Sequence, residues 1–404
     1  MFNGSCTTCS EVLSMADVLS VWVTLAFLAT CWVYWREARY QVARSTGGDA
    51  SRKAATKSAY IAMAAALASV AYNLCFINVA IPQILELGRT ENVSQVLLSV
   101  VFLVLISGGN LLIDRFARGV SILIVDRKLK LNNASPILFV ADAAKSLAVS
   151  TVFGVPLVVG WCLLMQDGSA FWWLAAWALW FVILTVRMLV KPQLETLLFS
   201  TAHDLPDGDL RARLEGLLKG CGIGTRSLQV IDASKRTNRV NASVTGLGRH
   251  KRIFLYDTLI KRLSAAEVEA VVAHETGHAT YRHLGKAWAG LGLMGLLVAC
   301  AVTGITGVAQ WQAAEAIGLL LATYPAMLLS VRPLLVRISR QFEFQADGFA
   351  AKVCGRQAVQ KALANIFTAN HGVWDHDWAY AVVFASHPSG RERIGRLQQA
   401  GRPS

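Results

Sequence analysis

The sequence predicts a multi-span α-helical membrane protein, with seven transmembrane helices and an α+β portion on one face of the bilayer. Three observations carry that prediction. Of 404 residues, 54% are hydrophobic and only 16% are charged, with a mean hydropathy of +0.44; these figures exclude a soluble globular chain and a disordered one. Seven apolar stretches are long enough to cross about 30 Å of hydrocarbon, which takes about 20 residues of helix. Basic residues collect between alternate stretches, as they do in polytopic proteins.

The predicted spans run over 17–35, 59–82, 95–113, 146–165, 170–189, 287–310 and 314–335. The first has no Lys or Arg upstream and no small-residue cleavage site after it, so it reads as a retained span rather than a signal peptide. Only residues 166–169 separate the fourth and fifth, which predicts a tight antiparallel hairpin. Arg36, Arg39, Arg44, Arg52, Lys53 and Lys57 follow the first span, and Arg115, Arg118, Arg127, Lys128, Lys130 and Lys145 follow the third. Segments 1–16, 83–94, 166–169 and 311–313 hold only Arg89 of the 39 basic residues. The amino terminus is therefore expected outside and the carboxyl terminus in the cytoplasm. The net charge of +13 is explained by topology, so nucleic acid is not expected as a partner.

Within the spans, Asn73, Asn78, Gly108, Gly109 and Asn110 fit either a hydrated cavity or interhelical hydrogen bonds and close packing. Eight dispersed cysteines imply no disulfide framework, and Cys6 and Cys9 form a CxxC without a second pair.

Four segments follow: 1–189, five spans with basic cytoplasmic loops; 190–286, a cytoplasmic catalytic segment; 287–335, spans six and seven; and 336–404, a second cytoplasmic segment. In 190–286 a helix is expected around 209–219, and strands at 227–232, 240–245 and 252–256. The last two form a hairpin across 246–251. Ser264 and Glu267 have capping-box spacing and open a helix expected to continue into the sixth span.

That helix carries His274, Glu275, Thr276, Gly277 and His278, an HExxH. A spacing of four places both imidazoles on one face, where they can ligate a single Zn²⁺, and Glu275 can reach a water beside the metal. A catalytic site needs a third protein ligand and an open position. On a continuous helix His283 falls about 140° away from His278, so it reads as a supporting or membrane-interface residue. Metzincin spacing also fails, since 281 is Tyr and 284 is Leu. Glu343 and Asp347, four apart after the seventh span, suit a ligand and a carboxylate that orients a ligand imidazole.

Five motifs together resemble the integral-membrane zinc metalloproteases of the type I CAAX prenyl protease family: HETGHATYRH at 274–283, SRQFEFQADGFA at 339–350, SKRTNRVNASVTGLGRHKRIFLYDTL at 234–259, LPDGDLRARLEGLL at 205–218 and SHPSGRERI at 386–394. The resemblance implies a gluzincin-like fold with zinc held by His274, His278 and Glu343, Glu275 as general base, and Asp347 orienting a ligand. It further implies that Asn241 binds extended substrate backbone, His387 donates to the tetrahedral intermediate, and Arg393 anchors the site electrostatically. A large chamber between the helices is also implied. Departures from the family pattern are Thr276, Ala279 and Thr280, where Leu, Trp and Lys are commoner; none is an expected ligand.

The implied activity is peptide hydrolysis at the cytoplasmic side, on peptide or protein substrates prenylated at a C-terminal CAAX. The membrane would be the inner membrane of a bacterium or the endoplasmic reticulum of a eukaryote. Two alternatives stand beside it: quality-control cleavage of membrane proteins with no prenylated substrate, and a non-enzymatic channel or transporter with structural zinc.

Overall fold

The computed structural model describes residues 14–45, 49–222, 227–245, 252–309 and 312–399. Cys6, Cys9 and the expected turn at 246–251 lie outside the described residues. Seven helices among those residues are long and apolar enough to cross a membrane. They are α1 (Met15–Ala43), α2 (Ala50–Thr90), α3 (Gln95–Asp126), α4 (Pro136–Gln166), α5 (Trp172–Leu198), α9 (His283–Ala309) and α10 (Ala313–Cys354). Between and after them lie α6 (Asp209–Gly220), α7 (Asp257–Arg262), α8 (Ala265–Thr280), α11 (Arg356–Ala369), α12 (Trp378–Val383) and α13 (Gly390–Gln399).

Helices α1, α2, α4 and α10 extend well past their apolar runs, since a helix need not stop where hydropathy falls, and side-chain caps satisfy the orphan amides at several of the ends. Ser14 accepts from the Asp17 amide at 3.2 Å and its own amide donates to Asp17 Oδ2 at 3.0 Å. Ser94 and Ser135 cap α3 and α4 in the same way, accepting from the Leu97 and Leu138 amides at 3.3 and 3.1 Å. The α4–α5 hairpin forms as expected, with Gly168 at φ +70 in its turn and the Trp161 indole donating to the Ala176 carbonyl at 2.9 Å.

Val23, Phe27, Phe76, Ile81, Phe102, Ile106, Ala322 and Ala326 make one buried core that joins α1, α2 and α3 to α10. Helix α9 packs instead on α5: Trp177 donates to the Gly292 carbonyl at 2.8 Å, and Phe181 and Trp288 rings lie 4.2 Å apart. Asn73, Asn110 and Gly109 follow the second of the two readings, while Gly108 has open space beside it and Asn78 is exposed. Asn73 and Asn110 exchange amide hydrogen bonds at 3.0 and 3.1 Å across α2 and α3, with Ser69 donating to Asn110 Oδ1 at 2.6 Å. Asn78 donates to Ser20 at 3.0 Å. A Cβ on Gly109 would fall 2.1 Å from the Tyr72 ring, so close packing accounts for that glycine.

The soluble portion holds a four-stranded sheet in the order β1-β2-β4-β3, comprising β1 (Ala202–Asp204), β2 (Ser227–Ile231), β3 (Ala242–Thr245) and β4 (Arg252–Tyr256). Strands β3 and β4 pair antiparallel, with Ser243 opposite Phe254. Strand β2 runs parallel to β4, and the short β1, which has no clear signal in the sequence, covers the far edge of β2. Leu214 and Leu218 of α6 meet Leu228, Val230, Ile253, Leu255, Val268 and Val272 in the core beneath the sheet.

Two seams join this portion to the membrane helices. Arg236 reaches Asp142 at 3.0 Å, Arg239 reaches Asp126 at 3.0 Å, and Asn133 and Asn238 exchange amide hydrogen bonds at 2.7 and 3.1 Å. In the second seam buried Glu37 of α1 accepts from the Asp377 amide and from Gln41, each at 2.8 Å, and Arg36 forks onto the Asp377 carboxylate at 3.0 and 2.8 Å.

The expected continuity from the HExxH helix into the sixth span does not hold. Helix α8 begins as predicted, with the Ser264 amide donating to Glu267 Oε2 at 2.9 Å, but it ends at Thr280. Tyr281 closes the last turn onto the Gly277 carbonyl at 3.0 Å, Arg282 sits at φ +55, and α9 starts at His283. Helix α10, by contrast, runs unbroken for 42 residues.

Replacing Asn110 by Leu leaves the buried Asn73 amide short of partners, and is expected to destabilise the detergent-solubilised protein by about 1–2 kcal/mol. The Asn73→Leu/Asn110→Leu double variant is expected to recover much of that loss in thermal unfolding. Additive losses would show that the amide pair is not coupled.

Candidate metal centre and cleft

Helix α8 approaches α10 closely because small residues line the contact. Ala270, Ala273, Ala346 and Ala350 are buried there, and a Cβ on Gly277 would meet the Ala346 backbone at 3.0 Å. The HExxH face therefore lies directly on the helix that carries Glu343 and Asp347, although α9 itself packs elsewhere.

One ligand atom each from His274, His278 and Glu343 lies within 4.8 Å of the others. The two Nε2 atoms are 3.1 Å apart, and the Glu343 oxygens lie 3.6 Å from His274 Nε2 and 3.4 Å from His278 Nε2. Buried Glu343 Oε2 accepts no hydrogen bond. Two imidazole lone pairs and a carboxylate facing one small volume, one oxygen of which lacks a donor, fit a metal cation: bare donors this close would otherwise repel.

The other side of each donor is tied down. His274 Nδ1 lies 2.9 Å from Asp347 Oδ1, which directs its Nε2 lone pair towards Glu343. Arg393, buried on α13, forks onto Asp347 at 2.8 and 2.6 Å and stands 3.4 Å from Glu343 Oε2. That Arg–carboxylate fork is the geometry in which a guanidinium binds most strongly. His387 donates from Nδ1 to Glu343 Oε1 across 3.0 Å, and this bond raises the imidazole above its ordinary pKa. Its side chain is otherwise 69% exposed and faces the cleft.

Glu275 stands beside the donors. Removal from water raises its carboxyl above the usual carboxylate range, against the pull of the His274 and His278 imidazoles and the Val244 backbone amide. The Val244 contact follows from sheet register. The Tyr256 amide donates to the Asn241 carbonyl at 3.1 Å, so residues 241, 243 and 245 turn their backbone groups towards β4. Ala242 and Val244 turn theirs to the open edge. Asn241 sits exposed at the start of that edge.

All eight residues expected at the site, Asn241, His274, Glu275, His278, Glu343, Asp347, His387 and Arg393, line one cleft of about 1150 Å³. One contributor escapes sequence reasoning. Val244 acts through its backbone, which leaves no side-chain signal. His283, expected as a supporting or membrane-interface residue, stands 3.0 Å from His278, and it reaches that place because the helix breaks before it.

An HExxH helix beneath seven apolar helices, with a third donor from a later helix, defines a membrane-embedded metallopeptidase. Residues 204–400 match peptidase family M48, and residues 37–201 match the CAAX prenyl protease N-terminal family, five membrane helices. A CAAX prenyl protease 1 homolog of Arabidopsis thaliana is 30% identical over 68% of this chain and 67% of its own length. CAAX prenyl protease 1 of Saccharomyces cerevisiae is 28% identical over 76% of this chain and 74% of its own. The crystal structure of S. mikatae Ste24p has the same fold, with a TM-score of 0.84 at 24% identity over 95% of this chain and 98% of that one. The chain belongs to the CAAX prenyl protease group of peptidase family M48, whose members are metallopeptidases.

Replacing Gly277 by Val is expected to force α8 and α10 apart, since the contacted atoms are the Ala346 backbone and the Phe349 Cβ, which cannot swing away. Metal content after dialysis should fall together with the apo-protein melting temperature. Unchanged values for both would show that the helices have room to spare.

Proposed function

We propose that the chain is a zinc metalloendopeptidase that hydrolyses peptide bonds at the cytoplasmic side of its membrane, in the manner of a CAAX prenyl protease. The observation that carries this reading is the convergence of His274, His278 and Glu343, with Glu275 beside them and an open sheet edge alongside. His274, His278 and Glu343 hold the zinc, and Asp347 orients His274. Zinc, when bound, lowers the pKa of water towards about 7 and polarises a carbonyl.

The chain's own residues do the rest. An extended substrate adds beside β3, pairing with the edge-facing backbone groups of Ala242, with the Val244 carbonyl and with the Asn241 side chain. Glu275 takes the proton of the attacking water and delivers it to the leaving amine. His387 turns its free ring edge to the oxygen that gains charge, and its Nδ1 bond to Glu343 holds the ring in that orientation. Arg393 offsets the charge of Glu343 and Asp347 and holds their helix face in place. The excess of Lys and Arg on alternate loops supports a cytoplasmic site.

A second substrate class is favoured by the same open edge. Main-chain pairing binds with little regard to side chains, which suits cleavage of unfolded membrane proteins that carry no prenyl group.

Purified protein offered a prenylated CAAX peptide and an unstructured casein should cut at least one of them and lose all cutting to a chelator. Glu343→Ala is expected to lose zinc on dialysis, while Glu275→Ala keeps it and loses turnover. Full zinc occupancy in Glu343→Ala would remove Glu343 from the ligand set. Asn241→Ala deletes one or two backbone hydrogen bonds, each worth about 0.5–1.5 kcal/mol, and should mainly raise KM. His387→Ala should lower kcat about a hundred-fold with KM little changed; the exchanged pattern would reverse the two assignments. For orientation, a cysteine introduced at position 250 in a cysteine-free background should resist an impermeant thiol reagent applied from outside. Ready labelling would place the site on the other face.

A further inference from the structure

Of the two imidazoles that face the metal position, His274 has a carboxylate behind it and His278 has none. Behind His278 stands His283, 3% exposed, with Nδ1 3.0 Å from His278 Nδ1 and Nε2 2.9 Å from Gln345 Oε1. The His283 ring is stacked on Phe342, centroids 4.1 Å apart and planes 9° from parallel, and lies 5.7 Å from Tyr281. Both nitrogens of a buried ring are thus engaged, and the ring touches both ligand-bearing helices.

We propose that His283 and Gln345 form a neutral relay that fixes His278 in the tautomer a metal needs, which makes them positioning residues of the centre. The proton assignment follows from donor and acceptor types. An amide oxygen only accepts, so His283 Nε2 carries the hydrogen. The Nδ1 of the neutral ring is then an acceptor, and His278 Nδ1 must be the donor that meets it. That leaves the His278 Nε2 lone pair bare, and Nε2 is the atom 3.4 Å from Glu343 Oε1. Asp347 imposes the same polarity on His274 with a carboxylate. The two ligands are therefore oriented by different chemistry, an anion for one and an imidazole–amide chain for the other.

The relay also accounts for the helix break. On an unbroken helix His283 would lie about 140° round from His278. With Arg282 at φ +55 the helical path is broken, and the His283 ring comes to within 3.0 Å of His278. A left-handed arginine is a conformation that non-glycine residues adopt at a cost, here offset by the contacts that it gives His283.

The inference rests on His278 being a ligand, and the test separates the two. Zinc affinity of the full chain in detergent is measured at pH 8 by chelator competition, with apo-protein melting alongside. Loss of outer partners of ligand histidines typically weakens metal binding 10–100-fold. His283→Phe keeps the stack and removes both hydrogen bonds, so a fall of about 10-fold or more is expected. Gln345 is exposed, so its variants test the same chain without disturbing the core. Gln345→Leu should weaken zinc binding, and Gln345→Glu, which still accepts from Nε2, should restore it to within about three-fold of the parent. Parent-like binding in both His283→Phe and Gln345→Leu would overturn the relay. Equal weakening in Gln345→Leu and Gln345→Glu would overturn its proton direction. Retention of zinc by Glu343→Ala would instead count against the ligand set on which the inference stands.

Discussion

Two carboxylates buried on one face of α10 govern the rest of this structure. Glu343 and Asp347 are 3% and 2% exposed, and an unpaired buried carboxylate costs several kcal/mol. Partners must come from elsewhere in the chain: His274 and His278 from α8, His387 from the loop before α13, and Arg393 from α13 itself. The demand for compensation draws segments more than a hundred residues apart in sequence onto one helix face. It is met almost completely, since Asp347 accepts from Arg393 and His274 and Glu343 Oε1 from His387. The one oxygen left without a hydrogen-bond donor is Glu343 Oε2, which lies 3.6 Å from His274 Nε2.

Much of this was legible in the sequence because its signals are periodic or local. Seven apolar runs announce seven spans, HExxH needs only helical spacing, and the i, i+4 pair of Glu343 and Asp347 shares a face wherever α10 lies. What was illegible depends on departures from regularity. Nothing in the Tyr281–Arg282 dipeptide marks a helix end, as neither is Gly nor Pro, so a supporting place for His283 is readable but not the break that brings it to His278. The open backbone of Ala242 and Val244 follows from strand register, which side chains alone do not reveal. The three-residue β1 is too short for any alternation to show. The polar residues Asn73 and Asn110 were equally compatible with water and with each other, and only their distance decides.

The two seams show how a small sheet is held still at a bilayer surface. Arg236, Asn238 and Arg239 pin the chain just ahead of Asn241 to the membrane helices through Asp142, Asn133 and Asp126. Glu37, Gln41 and Arg36 of α1 hold residues 375–377, upstream of His387. The proposed substrate-binding edge and the proposed oxyanion donor are thus each moored to a different part of the helical bundle. A loop mutation in either seam alters the relative placement of those two groups without touching a metal donor.

The unbroken course of α10 makes it a lever as well as a wall. Its apolar half lies in the bundle, with Pro325 and Pro333 inside the helix, and the same rod delivers Glu343 to the two imidazoles. Ten residues of α-helix separate Pro333 from Glu343, about 15 Å of rise. A bend of ten degrees at Pro333 therefore sweeps the carboxylate through about 2.5 Å, more than the length of a metal–ligand bond. The straightness of α10 at Pro333 therefore fixes how far Glu343 stands from the two imidazoles, and a residue deep in the bundle shares in setting a distance at the bilayer surface.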